Sequence, residues 1–246
     1  LAGARQVILN ADDFGYDPAV TAGIRRAARE GIVRSTTFMV NTPHSEAAAR
    51  DTAGLAVGLH LNLARHAPCW AGFPAELLRS GELDERRAGE LPSDVVEAEA
   101  HAQLDRLEAL VGLPATHVDV HKHLHRNAGV LEGLARAARA RGLPVRSITP
   151  QMREALNARG VRTNPHFVGD AGATAYWTLP ELERQLRALP EGVTELMCHP
   201  GHVPSHVKSG YAAQREVELA TFTSARAKDL VAELGLELVS FAAVRD

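Results

Sequence analysis

The sequence predicts an α/β protein with about seven strands in a mostly parallel sheet. Strand-like runs alternate with helix-like runs along almost the whole chain, which implies helical crossovers between parallel strands. The acids and histidines gather at the ends of those strands. These observations fit an incomplete or distorted (β/α) barrel and also an open doubly wound sheet. No GxGxxG or P-loop follows the first strand, which disfavours the nucleotide-binding form of the open sheet.

The elements follow in order. QVILNA (6–11) is an apolar first strand. Asp17 then stands as an N-cap before Pro18, AVTAGIRRAARE continues as a helix, and Gly31 ends it. STTFMVN (35–41) is the second strand, with a short Ala-rich helix after Pro43, and LAVGLHLNL (55–63) is the third. Residues 64–92 are irregular. Residues 93–112 form an amphipathic helix, with Val95, Val96, Leu104, Leu107 and Val111 near one face. THVDVH (116–121) is the fourth strand, 129–142 a helix ended by Gly142, and VRSI (145–148) a short fifth strand. Residues 149–178 are less regular. Thr178 and Glu181 form a capping box for LPELERQLRAL. VTELMCH (193–199), a helical region over about 212–234 and LELVSF (236–241) complete the chain.

The 246 residues, 45% hydrophobic and 23% charged, suit a single domain over 1–246. A net charge of -3 gives no reason to expect nucleic acid, which would need a basic face. No apolar run approaches the ~20 residues needed to span a bilayer. The two cysteines, Cys69 and Cys198, form no CxxC pair, so a disulfide framework and a thiolate zinc site are both excluded. A cytoplasmic protein with reduced thiols is expected.

Asp12 and Asp13 end the first strand, His60 lies late in the third, His121 ends the fourth and His199 ends the sixth. In a barrel of parallel strands these ends share one rim, where such folds keep their active sites. Acids after a strand often cap a helix, but Asp17 already holds that position. His60 points away from its neighbours Leu59 and Leu61, and a buried imidazole needs a partner. Within HVDVHKHLH (117–125), His121 lies nearest the strand end and is the preferred ligand, with His123 and His125 next. Asp119 and His117 share its face by alternation, and Asp119 is placed to hold a histidine ring from behind. HPGH (199–202) also reads as a plain turn. One carboxylate with two imidazoles fits Zn²⁺, Mn²⁺, Co²⁺, Fe²⁺ or, with waters, Mg²⁺. If Asp13 binds the ion, Asp12 is left beside a bound water as a general base, with His199 opposite as the acid.

NADDFG (10–15), GIVRSTTFMVN (31–41), VGLHLNL (57–63), THVDVHKHLH (116–125), ELMCHPG (195–201) and SGY (209–211) resemble the YdjC-like carbohydrate deacetylases, in order over residues 6 to 241. The resemblance implies a distorted (β/α) barrel related to the NodB-like polysaccharide deacetylases. It also implies metal-dependent removal of an N-acetyl group from an amino sugar or oligosaccharide. It matches Asp13, His60 and His121 to the metal ligands and Asp12 to the catalytic base, and it places His199 in the family's MCHP segment. The expected cofactor is one divalent ion, magnesium or zinc ahead of manganese or cobalt. The expected partner is a small carbohydrate, and a homodimer is the candidate assembly. Lys122 stands where the family often has a histidine, a change that would mark a subgroup such as the members associated with hopanoid synthesis.

A sugar calls for aromatic surface, and Trp70, Phe73, Phe167, Tyr176 and Trp177 fall in the two irregular segments. They are expected to roof the site and stack on the substrate, unless they pack those segments onto the barrel. Two other functions compete: a glycoside hydrolase using Asp12 and Asp119 as its acid pair without a metal, and a non-catalytic metal- or sugar-binding protein.

Overall fold

A computed structural model of the chain describes residues 4–245; residues 1–3 and 246, the ends of the expected 1–246 unit, lie outside the described residues. The elements are β1 (Arg5–Phe14), α1 (Pro18–Glu30), β2 (Ser35–Phe38), α2 (Ser45–Ala49), β3 (Ala56–Leu61), α3 (Ser93–Val111), β4 (Val118–Val120), α4 (Ala128–Ala140), α5 (Pro150–Asn157), β5 (His166–Val168), α6 (Leu179–Ala188), β6 (Gly192–Cys198), α7 (Ala213–Thr223), α8 (Ala225–Glu233) and β7 (Glu237–Val239). The strand order is β4-β3-β2-β1-β6-β5, every pairing parallel. β7 pairs with the first part of β1, at residues 6–8, and β2 takes over from Asn10. Single bridges from Val118 to Val145 and from Val145 to Thr163 carry the sheet on from β4 towards the segment that enters β5. The result is a distorted barrel of parallel strands with helices outside, as the sequence predicts. Among the described residues no helix is long and apolar enough to cross a membrane.

Three local expectations are corrected. VRSI supplies only the bridge at Val145, because the Asn164 side chain replaces a neighbouring strand: its Oδ1 accepts from Ser147 N at 2.7 Å and its Nδ2 donates to Ser147 O at 2.9 Å. The segment 149–178 is more ordered than predicted. Thr149 Oγ1 caps α5 at Met152 N, 3.1 Å away, with Pro150 opening the helix as Pro18 opens α1, and β5 follows. The helical region 212–234 breaks at Ser224, which is extended and caps α8 through Ala227 N.

The outward faces of the strands, including Val7, Leu9, Leu59 and Val118, pack on the helices in one large core. The barrel interior is different. Ile8, Val193, Phe241 and Val244 plug its lower end. Asn10, Ser35 and His117 form a polar layer above the plug, linked through Asn10 Oδ1. Gly58 leaves the room that His117 needs, since a Cβ there would lie 2.5 Å from its ring. Above this layer the interior turns ionic.

Candidate metal centre and active site

A regular strand would send Asp12 and Asp13 to opposite faces. β1 instead shifts register between Ala11 and Phe14, and Asp13 adopts the left-handed region at φ 71°. Such a residue costs about 1–3 kcal/mol and persists where its surroundings hold it. Here it brings both carboxylates into one cavity of about 620 Å³, together with His60, His121 and His199.

Asp13 Oδ1 lies 3.2 Å from His60 Nε2 and 3.1 Å from His121 Nδ1, and the two ring nitrogens are 3.1 Å apart. Ligands about 2.0–2.2 Å from one ion, on a tetrahedral or octahedral face, are roughly 2.8–3.6 Å from each other. The triangle has that size, and Asp13 Oδ1 is buried with no hydrogen-bond partner. The residues therefore fit a divalent ion. Two of the three ligands, His60 and Asp13, are also braced from behind. His60 Nδ1–H donates to Asp119 Oδ1 at 2.6 Å, and Thr37 Oγ1–H donates to Asp119 Oδ2 at 2.9 Å. Arg215 donates to Asp13 Oδ2 at 2.5 Å. Burial opposes charge on Asp13, yet Arg215, His121 and His60 hold its carboxyl well below the usual range. Burial likewise opposes a charged His60, but Asp119 and Asp13 raise its ring to about 10 when no ion competes for it.

Asp12 belongs to a second cluster. Arg146, wholly buried, grips both of its oxygens at 2.6 and 2.7 Å, reaches Asp119 Oδ2 at 2.6 Å and donates to Glu195 Oε1 at 2.7 Å. Asn10 Nδ2 adds a bond to Asp12 Oδ1 at 2.9 Å. Burial would raise the Asp12 carboxyl, but Arg146 carries it far below the ordinary range. Glu195, with Oε2 unpartnered, is pushed up to about 7, first by burial and then by Asp12 and Asp119 against the pull of Arg146.

His199 follows β6 in a turn pressed against α1, where a Cβ on Gly23 would meet Gly201 Cα at 2.4 Å. Its Nε2 lies 4.0 Å from Asp12 Oδ2. Burial lowers the ring to about 4 despite Asp12 and Asp13, so it is uncharged at neutral pH.

The other expected residues fall elsewhere. His117 lies in the layer below. His123 is on the cavity wall, edge-on to Phe167, and His125 is buried beside it; neither joins the triangle. The chain there is wound left-handed at Lys122 and His123, which turns both away from His121. Lys122 pairs with Glu85. The aromatic roof is corrected. Trp177 is wholly buried, its Nε1–H donating to Met197 O, so no ring face is left for a sugar. Trp70 and Phe73 pack on each other, in a loop that α3 holds through Glu99. Phe167 lies under Arg146 and His123. Tyr176 borders a separate groove beyond Asp170 and Gly172. The aromatics on the cavity wall are Tyr16 and Tyr211. Sequence reasoning passed over Arg146, Glu195, Arg215 and Glu218. The first two carried a signal, since each is a charged residue inside an apolar strand run.

The profile of the YdjC-like protein family matches residues 6–233. The chitooligosaccharide deacetylase of Serratia marcescens is 35% identical over 248 residues, covering 96% of this chain and 97% of its own. The carbohydrate deacetylase of Geobacillus stearothermophilus is also 35% identical, with the same coverage. Among solved structures, a proposed cellobiose-phosphate cleavage protein of Enterococcus faecalis V583 superposes with a TM-score of 0.85 at 27% identity, covering 98% of both chains. A family 4 acetyl xylan esterase of Clostridium thermocellum, solved with a cobalt ion, gives 0.54 at 11% identity, covering 97% of this chain and 89% of its own, which shows a shared fold alone. With the profile covering most of its length and relatives aligned nearly end to end, the chain belongs to the YdjC-like protein family.

Proposed function

We propose that this protein is a carbohydrate deacetylase that hydrolyses the acetamide of an N-acetylated amino sugar or oligosaccharide, with a divalent ion held by Asp13, His60 and His121. The observation that carries the reading is the triangle of ligand atoms on the cavity floor with the Asp12 carboxylate beside it. The relatives' deacetylase names support the substrate class.

When bound, the ion supplies Lewis-acid polarisation of the acetyl carbonyl and acidifies water. The side chains do the rest. Arg146 fixes Asp12 in one orientation, so the carboxylate takes the proton of the attacking water without first reorganising. His199 stands 4.0 Å away, uncharged and more basic than Asp12. Across that gap the proton passes from Asp12 to His199 by way of one intervening hydroxyl or water, and His199 gives it to the amine nitrogen as the C–N bond breaks. Acetate and the free amino sugar leave. Tyr16 and Tyr211, with Arg65 and Lys208 at the mouth, offer ring faces and donors to a sugar.

The glycoside hydrolase alternative loses support from the same geometry. Asp119 is wholly buried behind His60 and shares the Arg146 Nη1 with Asp12, leaving no room for a glycosidic bond between the two carboxylates. The test is acetate release from N-acetylated mono- and oligosaccharides, before and after chelation and after return of Mg²⁺, Zn²⁺, Mn²⁺ or Co²⁺. Release that stops on chelation and returns with an ion is expected. Release unaffected by chelation would remove the metal role, and no release with any sugar or ion would remove the reaction.

A further inference from the structure

Glu218, on α7, is wholly buried beside the His199 wall of the cavity, and the chemistry above leaves it unused. Two segments converge on its carboxylate. His199 N–H donates to Oε2 at 2.5 Å, and the Tyr211 hydroxyl donates to Oε1. The Tyr211 hydroxyl in turn accepts from Tyr176 N–H at 3.0 Å. The Tyr211 ring lines the cavity 5.3 Å from the His199 ring. His199 Nδ1, by contrast, is buried with no hydrogen-bond partner. Among the described residues no carboxylate holds this imidazole by its far nitrogen, so its main chain and its packing set its place.

We propose that Glu218 and Tyr211 are a positioning pair for His199: the carboxylate clamps the main chain at the end of β6, and the phenol fixes both the carboxylate and the Tyr176 loop. This rests on the reading of His199 as the proton donor. The fold does not need the clamp to hold the turn. Gly201 N–H already bonds Arg215 O on α7, and His202 N–H bonds Ala19 O on α1. A buried carboxylate is costly unless well satisfied, so one held by two donors from separate segments beside a catalytic wall calls for a role beyond packing. Burial pushes the Glu218 carboxyl up to about 7 against the pull of those donors.

The experiment compares Tyr211→Phe and Glu218→Gln with the wild type as full, metal-loaded chains. Tyr211→Phe keeps the ring and removes one bond. Glu218→Gln keeps the shape but turns an N–H towards one of the donors. Both are expected to lower kcat, Tyr211→Phe roughly tenfold and Glu218→Gln up to about a hundredfold. KM and metal content should stay near wild type, because the metal residues and the sugar contacts remain. The His199 Cε1–H NMR signal should move in both variants. Unchanged kcat with a coincident His199 signal in Tyr211→Phe overturns the inference, as does a joint loss of kcat, KM and metal in both variants, which is general damage. If the wild type deacetylates no sugar, the reaction assigned above fails, and the His199 signal still decides the positioning.

Discussion

Asp12 and Asp13 are neighbours in the chain and each leans on one buried arginine, yet their surroundings are opposite. Asp12 is saturated: Arg146 takes both oxygens and Asn10 adds a third bond. Asp13 is half open: Arg215 takes Oδ2, while Oδ1 faces two imidazole nitrogens with no hydrogen bond. A saturated carboxylate is a fixed anion that can take a proton without moving. A half-open one facing two imidazole nitrogens at ligand spacing is a ligand. The same residue type, one position apart, serves two purposes because a bulge divides the arginines between them.

The largest expected effect tests that division. Asp13→Asn should lose both the ion and acetate release, whereas Asp12→Asn should keep the ion and lower kcat by ~10²–10⁴-fold. Metal analysis beside acetate release reads the split, and equal metal loss in both would dissolve the distinction.

The arginines differ in the same sense. Arg146→Met leaves three buried carboxylates facing one another and should destabilise the fold by about 3–5 kcal/mol in urea. Arg215→Met uncovers one oxygen of one carboxylate and should cost clearly less; matching losses would mean that the two clusters are equally dependent on their cations.

The smallest effect is a pH dependence in the saturated cluster. Glu195 is raised to about 7 in the folded chain, above the ordinary 4.5 of an unfolded glutamate. Folding therefore binds a proton between those values, and Glu195 removes stability as pH rises through them. The urea midpoint of Glu195→Gln, relative to wild type, should rise from pH 5 to 8. A constant or falling difference would mean that Arg146 keeps Glu195 ionised throughout.

Much of the site was legible because its ligands end strands. Alternation placed Asp119 and His121 on one face of the fourth strand, and strand-end convergence brought in Asp12, Asp13, His60 and His199. Arg146 was visible only as a charge inside the VRSI run, and nothing local says which carboxylates it will meet. Arg215, Glu218 and Tyr211 come from the far end of the chain, and their partners lie as many as 202 residues away in sequence. The aromatic expectation failed for a related reason. Composition places tryptophans in irregular segments, but those segments need a core of their own, and Trp177 supplies it beneath the loop instead of above the cavity.

The sequence by itself determined the alternating α/β plan, the caps at Asp17, Thr178 and the unrecognised Thr149, and the set of residues at the barrel rim. These depend on local periodicity and on side chains reaching only a few positions. Tertiary structure alone decided the bulge that turns Asp13 beside Asp12, the arginine each acid receives, and the wall behind His199. Those depend on burial, where each charge must find a partner in three dimensions, and no short stretch of sequence specifies the partner.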